Sequence, residues 1–273
     1  VQEPDLGIKG FDENGASYAY FSVSPSKVVF FSRGNLQYQA STNTWRFAPH
    51  QYDFIGADNS KISSSYTGWI DLFGFGTSGW VDGGATCYQP YSTSTDSTSY
   101  GAGPRGTNSL DGIWADADWA YYNSISNGGN KTHFWRTLTK DEWEYLFYGR
   151  KEAADKCAPA TVGGVHGLVL IPDVPTDTTS LPFVSGMSGG WNQNVYTKTQ
   201  WLRMEKMGAV FLPAAGERYD GTKVRDCGAT GNYWTVYTAN RPKTAYYMHF
   251  STQSPDITIT AKFYGFSVRP VFP

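Results

Sequence analysis

Residues 135–150, with the sequence WRTLTKDEWEYLFYGR, constrain the fold more than any other part of this chain. Thr139 stands three residues before Glu142, the spacing at which each side chain accepts a hydrogen bond from the other residue's backbone N–H at a helix start. Apolar side chains then recur at helical spacing on one face: Trp143, Leu146 and Phe147. Gly149 can adopt the left-handed conformation that ends many helices. We therefore predict a short helix, capped at both ends, that turns an aromatic stripe into a core.

Composition narrows the class of protein. The chain has 273 residues and a net charge of -2, with no run of basic side chains, so no nucleic-acid or anionic-membrane surface is expected. Aromatic residues make up 16% of the chain and glycine occurs 30 times, which indicates a loop-rich globular protein with an aromatic core. Because no internal repeat or low-complexity linker divides the sequence, we predict an N-terminal extension over residues 1–18 and one domain over residues 19–273.

The cysteines are widely spaced and form no C-x-x-C pair, which excludes a zinc knuckle and a redox motif. They are Cys87, Cys157 and Cys227. This spacing is compatible with two arrangements: one disulfide with one free thiol, and three free thiols. No apolar run is long enough to span a bilayer. The chain begins at Val1 without methionine, and we expect a targeting segment or lipid anchor upstream of it.

Short strands are predicted over most of the chain. An alternating and then apolar pattern covers residues 18–31, and two further apolar strands cover residues 165–171 and 209–213. A second helix is predicted over residues 199–207, ending at Gly208. Residues 56–130 contain few regular runs, and large aromatic side chains are expected to pin these loops to the body. They are Trp69, Phe73, Phe75, Trp80, Trp114 and Trp119.

Residues 233–272 carry the most regular β pattern. Side chains along residues 245–250 divide into two faces, and along residues 256–263 apolar side chains alternate strictly with polar ones. This pattern predicts antiparallel strands with one buried and one solvated face. The predicted core residues of this segment are Trp234, Tyr246, Met248, Phe250, Ile257, Ile259 and Phe263.

The helical stretch resembles the LPTEAEWEY signature of the formylglycine-generating-enzyme and C-type-lectin-like superfamily. Other stretches are similar to Bacteroides-type surface proteins, in the same order along the chain: FSRGNL from Phe31, WIDLFGFG from Trp69, GAVFLPAAG from Gly208, GNYW from Gly231, AYYMHF from Ala245 and GFSVR from Gly265. The resemblance covers about residues 21–272. It extends to the variable proteins of diversity-generating retroelements, in which the terminal segment carries the ligand-binding positions.

This resemblance implies an α+β, C-type-lectin-like (formylglycine-generating-enzyme-like) fold with short antiparallel strands, two short helices and long irregular loops. It also implies an exported, extracellular or cell-surface protein. The enzyme of the superfamily uses a copper-binding cysteine pair near its C-terminus, and soft thiolates suit Cu(I). This chain has no cysteine after Cys227. We therefore expect a protein that is not an enzyme and that uses no cofactor.

Other constellations point to structural roles. The histidines lie far apart, without a metal or triad order; they are His50, His133, His166 and His249. We expect His166 to be packed or hydrogen-bonded in its strand. Capping explains the acidic residues at the start of the predicted helix. A calcium site is a minor alternative at Asp111, Asp116 and Asp118, but the D-x-[DN]-x-[DN]-G loop is missing. No metal is therefore expected.

The resemblance places a ligand-binding face on the polar side of the terminal segment, where strands would hold side chains rigidly. The predicted face comprises Tyr237, Asn240, Arg241, Lys243, Tyr247, His249, Ser251, Gln253, Asp256, Thr258, Thr260 and Lys262. Tyr247 and His249 carry over most directly, because residues 245–250 match the family pattern. Between Trp234 and Ala245 the spacing is about one residue longer. From the residues alone, a solvated sheet face without a ligand is the simpler interpretation, and Gly265 and Arg269 are interpreted as structural.

The expected function is the non-catalytic binding of a protein or glycan on the surface of another cell, a phage or a host. No nucleic acid is expected as a partner, and no membrane except through an upstream anchor. A variable protein of a diversity-generating retroelement is one form of this expectation. The leading alternative is an adhesin or pilus-tip-like structural subunit that uses the same face for a fixed assembly contact. An enzyme with an unrecognised site is the third.

Overall fold

The computed structural model describes residues 10–82, 84–176, 182–239 and 242–273. Over these residues the fold is α+β, with mostly short antiparallel strands and a few short helices. The strands are β1 (Phe21–Ser24), β2 (Lys27–Phe31), β3 (Leu36–Gln39), β4 (Thr44–Phe47), β5 (Cys157–Val162), β6 (Val165–Leu170), β7 (Val195–Tyr196), β8 (Val210–Pro213), β9 (Glu217–Tyr219), β10 (Lys223–Arg225), β11 (Gly231–Thr238), β12 (Thr244–Phe250), β13 (Asp256–Ala261) and β14 (Val271–Phe272).

The strands form small sheets in the orders β1-β2-β14, β3-β4, β7-β5-β6-β8, β10-β9 and β11-β12-β13. Pairing is antiparallel except between β5 and β7. The sheet that contains β14 joins the two ends of the described chain, because Val271 pairs with Phe31. The N-terminal residues before β1 also touch this region, through a bridge between Ala16 and Ser32.

The helices are α1 (Trp119–Tyr122), α2 (Lys140–Glu144) and α3 (Lys198–Lys206), and a π-helical turn (Tyr145–Gly149) follows α2 directly. Short 3₁₀ helices occupy Ala40–Thr42, Gly56–Lys61, Ser97–Ser99, Pro104–Gly106, Gly112–Ala117, Ala153–Lys156 and Gly190–Asn192. Both predicted helices are confirmed. In α3, Thr197 and Gln200 form a second capping box, and Gly208 follows the helix with a positive φ.

The predicted capping box of α2 is confirmed. The Thr139 hydroxyl accepts a hydrogen bond from the Glu142 N–H at 3.1 Å, and the Glu142 carboxylate accepts one from the Thr139 N–H at 2.9 Å. The left-handed C-cap predicted at Gly149 is wrong. Gly149 lies inside the π-helical turn without a positive φ, and the Tyr145 ring stands 2.5 Å from where a Cβ would be.

Three buried clusters make up the core, and the β11–β13 sheet lies between two of them. On one side, Trp143 and Phe147 pack with Tyr233, Met248 and Phe250. The other side faces a cluster that includes Trp234, Ala245 and Phe266. The sheet therefore contacts a core on both faces, whereas the sequence predicted one solvated face.

Two details of the predicted alternation need correction. Trp234 is buried, as predicted. However, it pairs with Tyr247, so its side chain is on the Tyr247 face of the sheet and not on the Met248 face to which the alternation assigned it. Ile259, predicted to be in the core, is 40% exposed. It lies on β13, the edge strand of its sheet, where no further strand covers it.

Aromatic side chains hold the long irregular segment between β4 and α1 on the body, as expected. Phe73, Phe75 and Trp119 are fully buried. The half-buried rings of Trp80 and Trp114 pack against each other, with 6.1 Å between centroids. The last of the predicted anchors, Trp69, lies beneath the guanidinium of Arg46, which stands 3.6 Å from its ring centroid.

Candidate ligand-binding face

The structure brings only part of the predicted binding set together. Asn240 and Arg241 lie outside the described residues. Five members share one side of the sheet, because antiparallel pairing sets Asp256 opposite His249 and Thr258 opposite Tyr247. Thr260 stands on the same side, opposite Ala245. Ser251 and Gln253 follow β12, in the connection to β13.

Tyr237 and Lys243 lie at the opposite end of the sheet. Trp234 pairs with Tyr247 and Thr238 pairs with Ala245, so three residues of β11 stand opposite one residue of β12. The bulge therefore adds two residues to β11 relative to a regular ladder. It separates Tyr237 from Trp234, which pairs with Tyr247.

The surroundings of Tyr237 differ accordingly. Burial raises the pKa of its phenol first, and the nearby carboxylates of Asp111, Asp141 and Glu142 raise it further. Tyr237 is thus a neighbour of α2, and it does not belong to one surface with His249.

Lys262 does not belong to the face, and this prediction is wrong. Its side chain is fully buried, and its Nζ donates a hydrogen bond to the Gly106 carbonyl. The same Nζ lies 5.5 Å from the centroid of the Phe75 ring. The strict alternation fails here because β13 ends at Ala261 and the chain turns, with the Tyr264 N–H bonded to the Ala261 carbonyl.

An aromatic layer supports the His249 end of the sheet. The Tyr247 ring packs against Phe266, with centroids 4.6 Å apart, and meets the Trp234 ring edge-on at 6.3 Å. Burial raises the pKa of Tyr247 to about 12, and the charges of Glu217 and Asp256 add to this increase. The exposed residues of this end therefore stand on a packed backing that fixes their positions.

The β9–β10 hairpin adds residues to this surface that the sequence analysis missed. Gly216 bridges to Gly231 at the start of β11, and Arg218 bridges to Gly265. Glu217 forms an ion pair with Arg225 at 2.5 Å, and the Arg225 guanidinium lies 4.4 Å from the Tyr219 ring centroid. The bridge at Gly216 places Glu217, with its partner Arg225, next to β11, and the charge of Glu217 acts on Tyr247 and His249 of β12.

The sequence contains a turn motif that could have predicted the β9–β10 hairpin, but not its position against β11. Asp220-Gly221 between two short alternating runs is a typical hairpin turn. Its packing against β11 depends on Gly216, whose φ is +74°, and a Cβ there would meet the Arg225 carbonyl at 2.3 Å. Such a long-range approach leaves no mark in local sequence periodicity.

His249 makes the most specific polar contact of the face. Its Nδ1 lies 2.8 Å from Oδ1 of Asn232, which is buried on the neighbouring strand. Burial lowers the pKa of the imidazole, and the charges of Asp256 and Glu217 only partly oppose this effect. The ring is therefore neutral at pH 7.

We name the surface formed by Glu217, Arg225, Tyr247, His249, Asp256 and Thr258 the His249 face. It combines carboxylates, a guanidinium, a phenol, an imidazole and a hydroxyl, all held on strands. Such a surface can donate and accept hydrogen bonds and can stack against a ligand.

The calcium alternative finds no support in the geometry. Both carboxylate oxygens of Asp118 accept hydrogen bonds from Thr137, and one also caps α1 at the Ala120 N–H. Asp116 pairs with His133 at 3.0 Å. Over the described ranges, no group of three or more His, Cys, Asp or Glu side chains is arranged to hold a metal ion.

The remaining candidates have structural roles. The Nδ1 of His166 contacts the Gly228 carbonyl at 2.7 Å, and the ring stacks on Trp191, which confirms the packed role predicted for it. Arg269 is also structural, as predicted: it is buried and donates to Gln51 Oε1 at 2.8 Å. Gly265 allows the close approach of Arg218, whose Cβ lies 2.9 Å from where a Cβ of Gly265 would be.

All three cysteines are free thiols in the structure. Burial raises the pKa of Cys157 to about 12, so this group stays a neutral thiol at physiological pH. Cys227 is exposed, and partial burial of its sulfur raises its pKa as well.

A cleft of about 780 Å³ lies away from the His249 face, at the N-terminal side of the described chain. Arg33, His50 and Glu205 are among its lining residues. Two of its ionisable groups have partners within the protein: His50 pairs with Asp53 at 3.0 Å, and Glu205 accepts a hydrogen bond from Trp201 at 3.0 Å.

Comparison of the chain with family models, curated proteins and solved structures finds no match in any of the three. Of the helices in the described part of the chain, none is long and apolar enough to cross a membrane.

Proposed function

We propose that this protein is a non-catalytic, exported or surface-displayed ligand-binding protein whose binding site is the His249 face. One observation carries the proposal. Varied polar side chains stand on adjacent strands whose register is fixed by the fully packed Trp234 and Phe266 beneath them. Rigid elements position a recognition surface better than loops do.

The composition of the His249 face also suits recognition. Tyrosine and arginine are enriched among residues that dominate binding energies, and Tyr247 and Arg225 supply both. Thr258 and Asp256 lie on the outer strand, where they add polar contacts without being needed for the core.

The finer fold that we propose is C-type-lectin-like. Two helices with capping boxes, small antiparallel sheets and a long irregular segment pinned by aromatic rings support it. The motif of residues 135–150 supports it as well, because the stretch that carries the resemblance forms the capped helix with a buried tryptophan that its spacing predicts.

The partner in this proposal is a protein or glycan on another cell, a phage or a host. Diversification of the tail is a separate element of the proposal. It predicts that the DNA near the gene contains a template repeat nearly identical to the sequence that codes for the tail. The two copies should differ only at adenines, and a reverse transcriptase gene should lie nearby. Lack of both would remove that element without affecting the binding face.

One observation favours the alternative of an assembly subunit. β13 is the edge of its sheet, and Ile259 on it is 40% exposed. An edge strand with an exposed apolar side chain can pair with a strand of another copy. Concentration-dependent self-association in sedimentation, lost in Ile259→Lys, together with no hit for any other partner, would favour assembly.

The binding proposal is tested by an array of cell-surface proteins and glycans probed with the purified chain. Thr258→Arg places a bulky cation on the His249 face, and Thr67→Arg makes the same change at an exposed threonine on the connection between β4 and α1. We expect Thr258→Arg to abolish the hits and Thr67→Arg to preserve them. Hits that survive Thr258→Arg would contradict the proposed site.

A further inference from the structure

The hydrogen-bonding state of His249 can be assigned from its partner. Asn232 Nδ2 lies 3.2 Å from the Gly216 carbonyl, which can only accept a hydrogen bond, so this atom is the amide nitrogen. A second contact to the Thr230 hydroxyl, also 3.2 Å, fits the same orientation. The Asn232 oxygen therefore faces His249. Because that oxygen can only accept, His249 Nδ1 carries the proton.

A neutral imidazole that is protonated at Nδ1 has a lone pair at Nε2. Nε2 lies on the ring edge opposite the buried Asn232, and the ring is half-buried. Within the described residues, His249 Nε2 has no hydrogen-bond partner. The strand β12 thus holds a fixed, unused acceptor at the surface.

The charges around this acceptor are mostly negative. Glu217 and Asp226 share the single guanidinium of Arg225, at 2.5 and 3.5 Å. Asp256 stands opposite His249 on β13 and is exposed. The only other basic side chain of the hairpin that is exposed, Lys223, pairs with Asp220 at 2.7 Å.

The field of these carboxylates reaches the aromatic ring as well. Both Glu217 and Asp256 raise the pKa of Tyr247, which means that each makes a negative phenolate less favourable there. The same two charges act on His249. A ring face in such a field attracts cations.

We propose that the His249 face binds a lysine or arginine side chain of a partner protein, with His249 Nε2 as the acceptor for its N–H group and the carboxylates of Glu217 and Asp256 as its counter-charges. This inference rests on the proposed function and names the class of its partner. A glycan or an acidic protein would satisfy the proposed function but not this inference.

Binding should depend on pH. Protonation of His249 turns Nε2 from an acceptor into a donor and adds a positive charge beside the ligand's own. The groups that face the ring are Asp256 on β13, Glu217 on β9, Tyr247 on β12 and Asn232 on β11. Burial holds the imidazole pKa below its usual 6.5, so affinity is retained at pH 7 and declines as the pH falls through that lowered value.

The test uses three fluorescein-labelled octapeptides, (Gly-Lys)₄, (Gly-Gln)₄ and (Gly-Glu)₄, titrated with the intact chain and followed by anisotropy at pH 7.5 and pH 5. We expect (Gly-Lys)₄ to bind at least tenfold more tightly than (Gly-Gln)₄ at pH 7.5, and (Gly-Glu)₄ not to bind. Equal affinity for the lysine and glutamine peptides would overturn the inference.

Two histidine substitutions separate the acceptor from the ring. His249→Gln sets an amide oxygen near the Nε2 position, whereas the shorter His249→Asn reaches only the Nδ1 position and keeps the contact to Asn232. We expect His249→Asn to weaken (Gly-Lys)₄ binding roughly tenfold, the usual effect of losing a hydrogen bond to a charged group. His249→Gln should retain binding and lose its pH dependence. Equal behaviour of the two variants would also overturn the inference.

A matched carboxylate pair controls for net charge. Asp256→Asn on the His249 face should weaken binding of the lysine peptide severalfold, and Glu13→Gln, at an exposed glutamate of the cleft that lies away from this face, should not. Equal weakening would indicate unspecific attraction and exclude the site. If array hits are lost in Thr258→Arg but are indifferent to His249→Asn, the proposed function stands and this inference fails.

Discussion

The ammonium group of Lys262 donates a hydrogen bond to the backbone carbonyl of Gly106, and this contact is fully enclosed by protein. In the described part of the chain, no carboxylate forms an ion pair with it. Burying a charged group without a counter-charge is costly, and burial lowers the pKa of Lys262 to about 8. The same side chain that was predicted to bind a ligand instead anchors the turn at Pro104–Gly106 from within.

This burial predicts a distinct dependence of stability on pH. Because the folded pKa is about 8 and the ordinary value is 10.5, the unfolded chain binds the proton more tightly between these values. The contribution of Lys262 to the free energy of unfolding should therefore rise from pH 8 to pH 10.5, by up to about 3 kcal/mol. Below pH 8 the penalty is present in full.

Urea unfolding of the wild type and Lys262→Met at pH 7, 8, 9 and 10 measures this effect. The difference in unfolding free energy, wild type minus variant, should increase with pH. Lys243→Met, at an exposed lysine near the same strands, should show no such trend. A difference for Lys262→Met that stays constant across this range would show that the amine is not buried as described.

The helix cap gives a second prediction. Thr139→Ala removes the acceptor for the Glu142 N–H and should lower the free energy of unfolding by about 1 kcal/mol. Glu142 also pairs with Arg136 through two contacts of 2.7 Å, so Glu142→Ala should cost more than Thr139→Ala. Thr197→Ala at the cap of α3 is the matched comparison. Unchanged stability in Thr139→Ala would mean that the box contributes nothing to the fold.

The support beneath the His249 face gives a third prediction. Trp234 Nε1 donates to the Phe73 carbonyl at 2.6 Å inside the core. Trp234→Phe removes this donor. Because the Phe73 carbonyl keeps its hydrogen bond from the Phe266 N–H at 3.0 Å, the cost should be about 1 kcal/mol. Trp114→Phe, at a half-buried ring, should cost less. Thermal unfolding followed by circular dichroism compares them, and a larger loss in Trp114→Phe would contradict the packing described.

The thiols give a fourth prediction. Maleimide labelling of the native chain at pH 7.5 should modify the exposed Cys227 first, and Cys157 only after unfolding. In urea, without reductant, three thiols should react per chain. A count of one would reveal a disulfide. Peptide mapping by mass spectrometry assigns each label.

Local patterns predicted the local features correctly. The capping box at Thr139 and the helix that ends before Gly208 depend on residues only a few positions apart. Propensity and capping chemistry decide such elements almost on their own. The paired residues of β12 and β13 followed in the same way from alternation, which set Tyr247, His249, Asp256 and Thr258 on one side.

Features that depend on distant contacts were missed for a physical reason. Alternation shows that a strand has two faces, but it does not show that both faces contact a core, as Trp234 and Met248 do here. Tyr237 lies beyond a two-residue bulge at the end of the sheet far from His249, and a turn after Ala261 buried Lys262. Glu217 joined the site only because the chain returns beside β11 through Gly216.

The central claim is that ligands bind at the His249 face, and it is tested most directly by the array signal of Thr258→Arg relative to Thr67→Arg. We predict that Thr258→Arg removes the hits while Thr67→Arg retains the wild-type signal. Equal signals from both variants, with both chains folded by circular dichroism, would contradict the assignment of the binding site to this face.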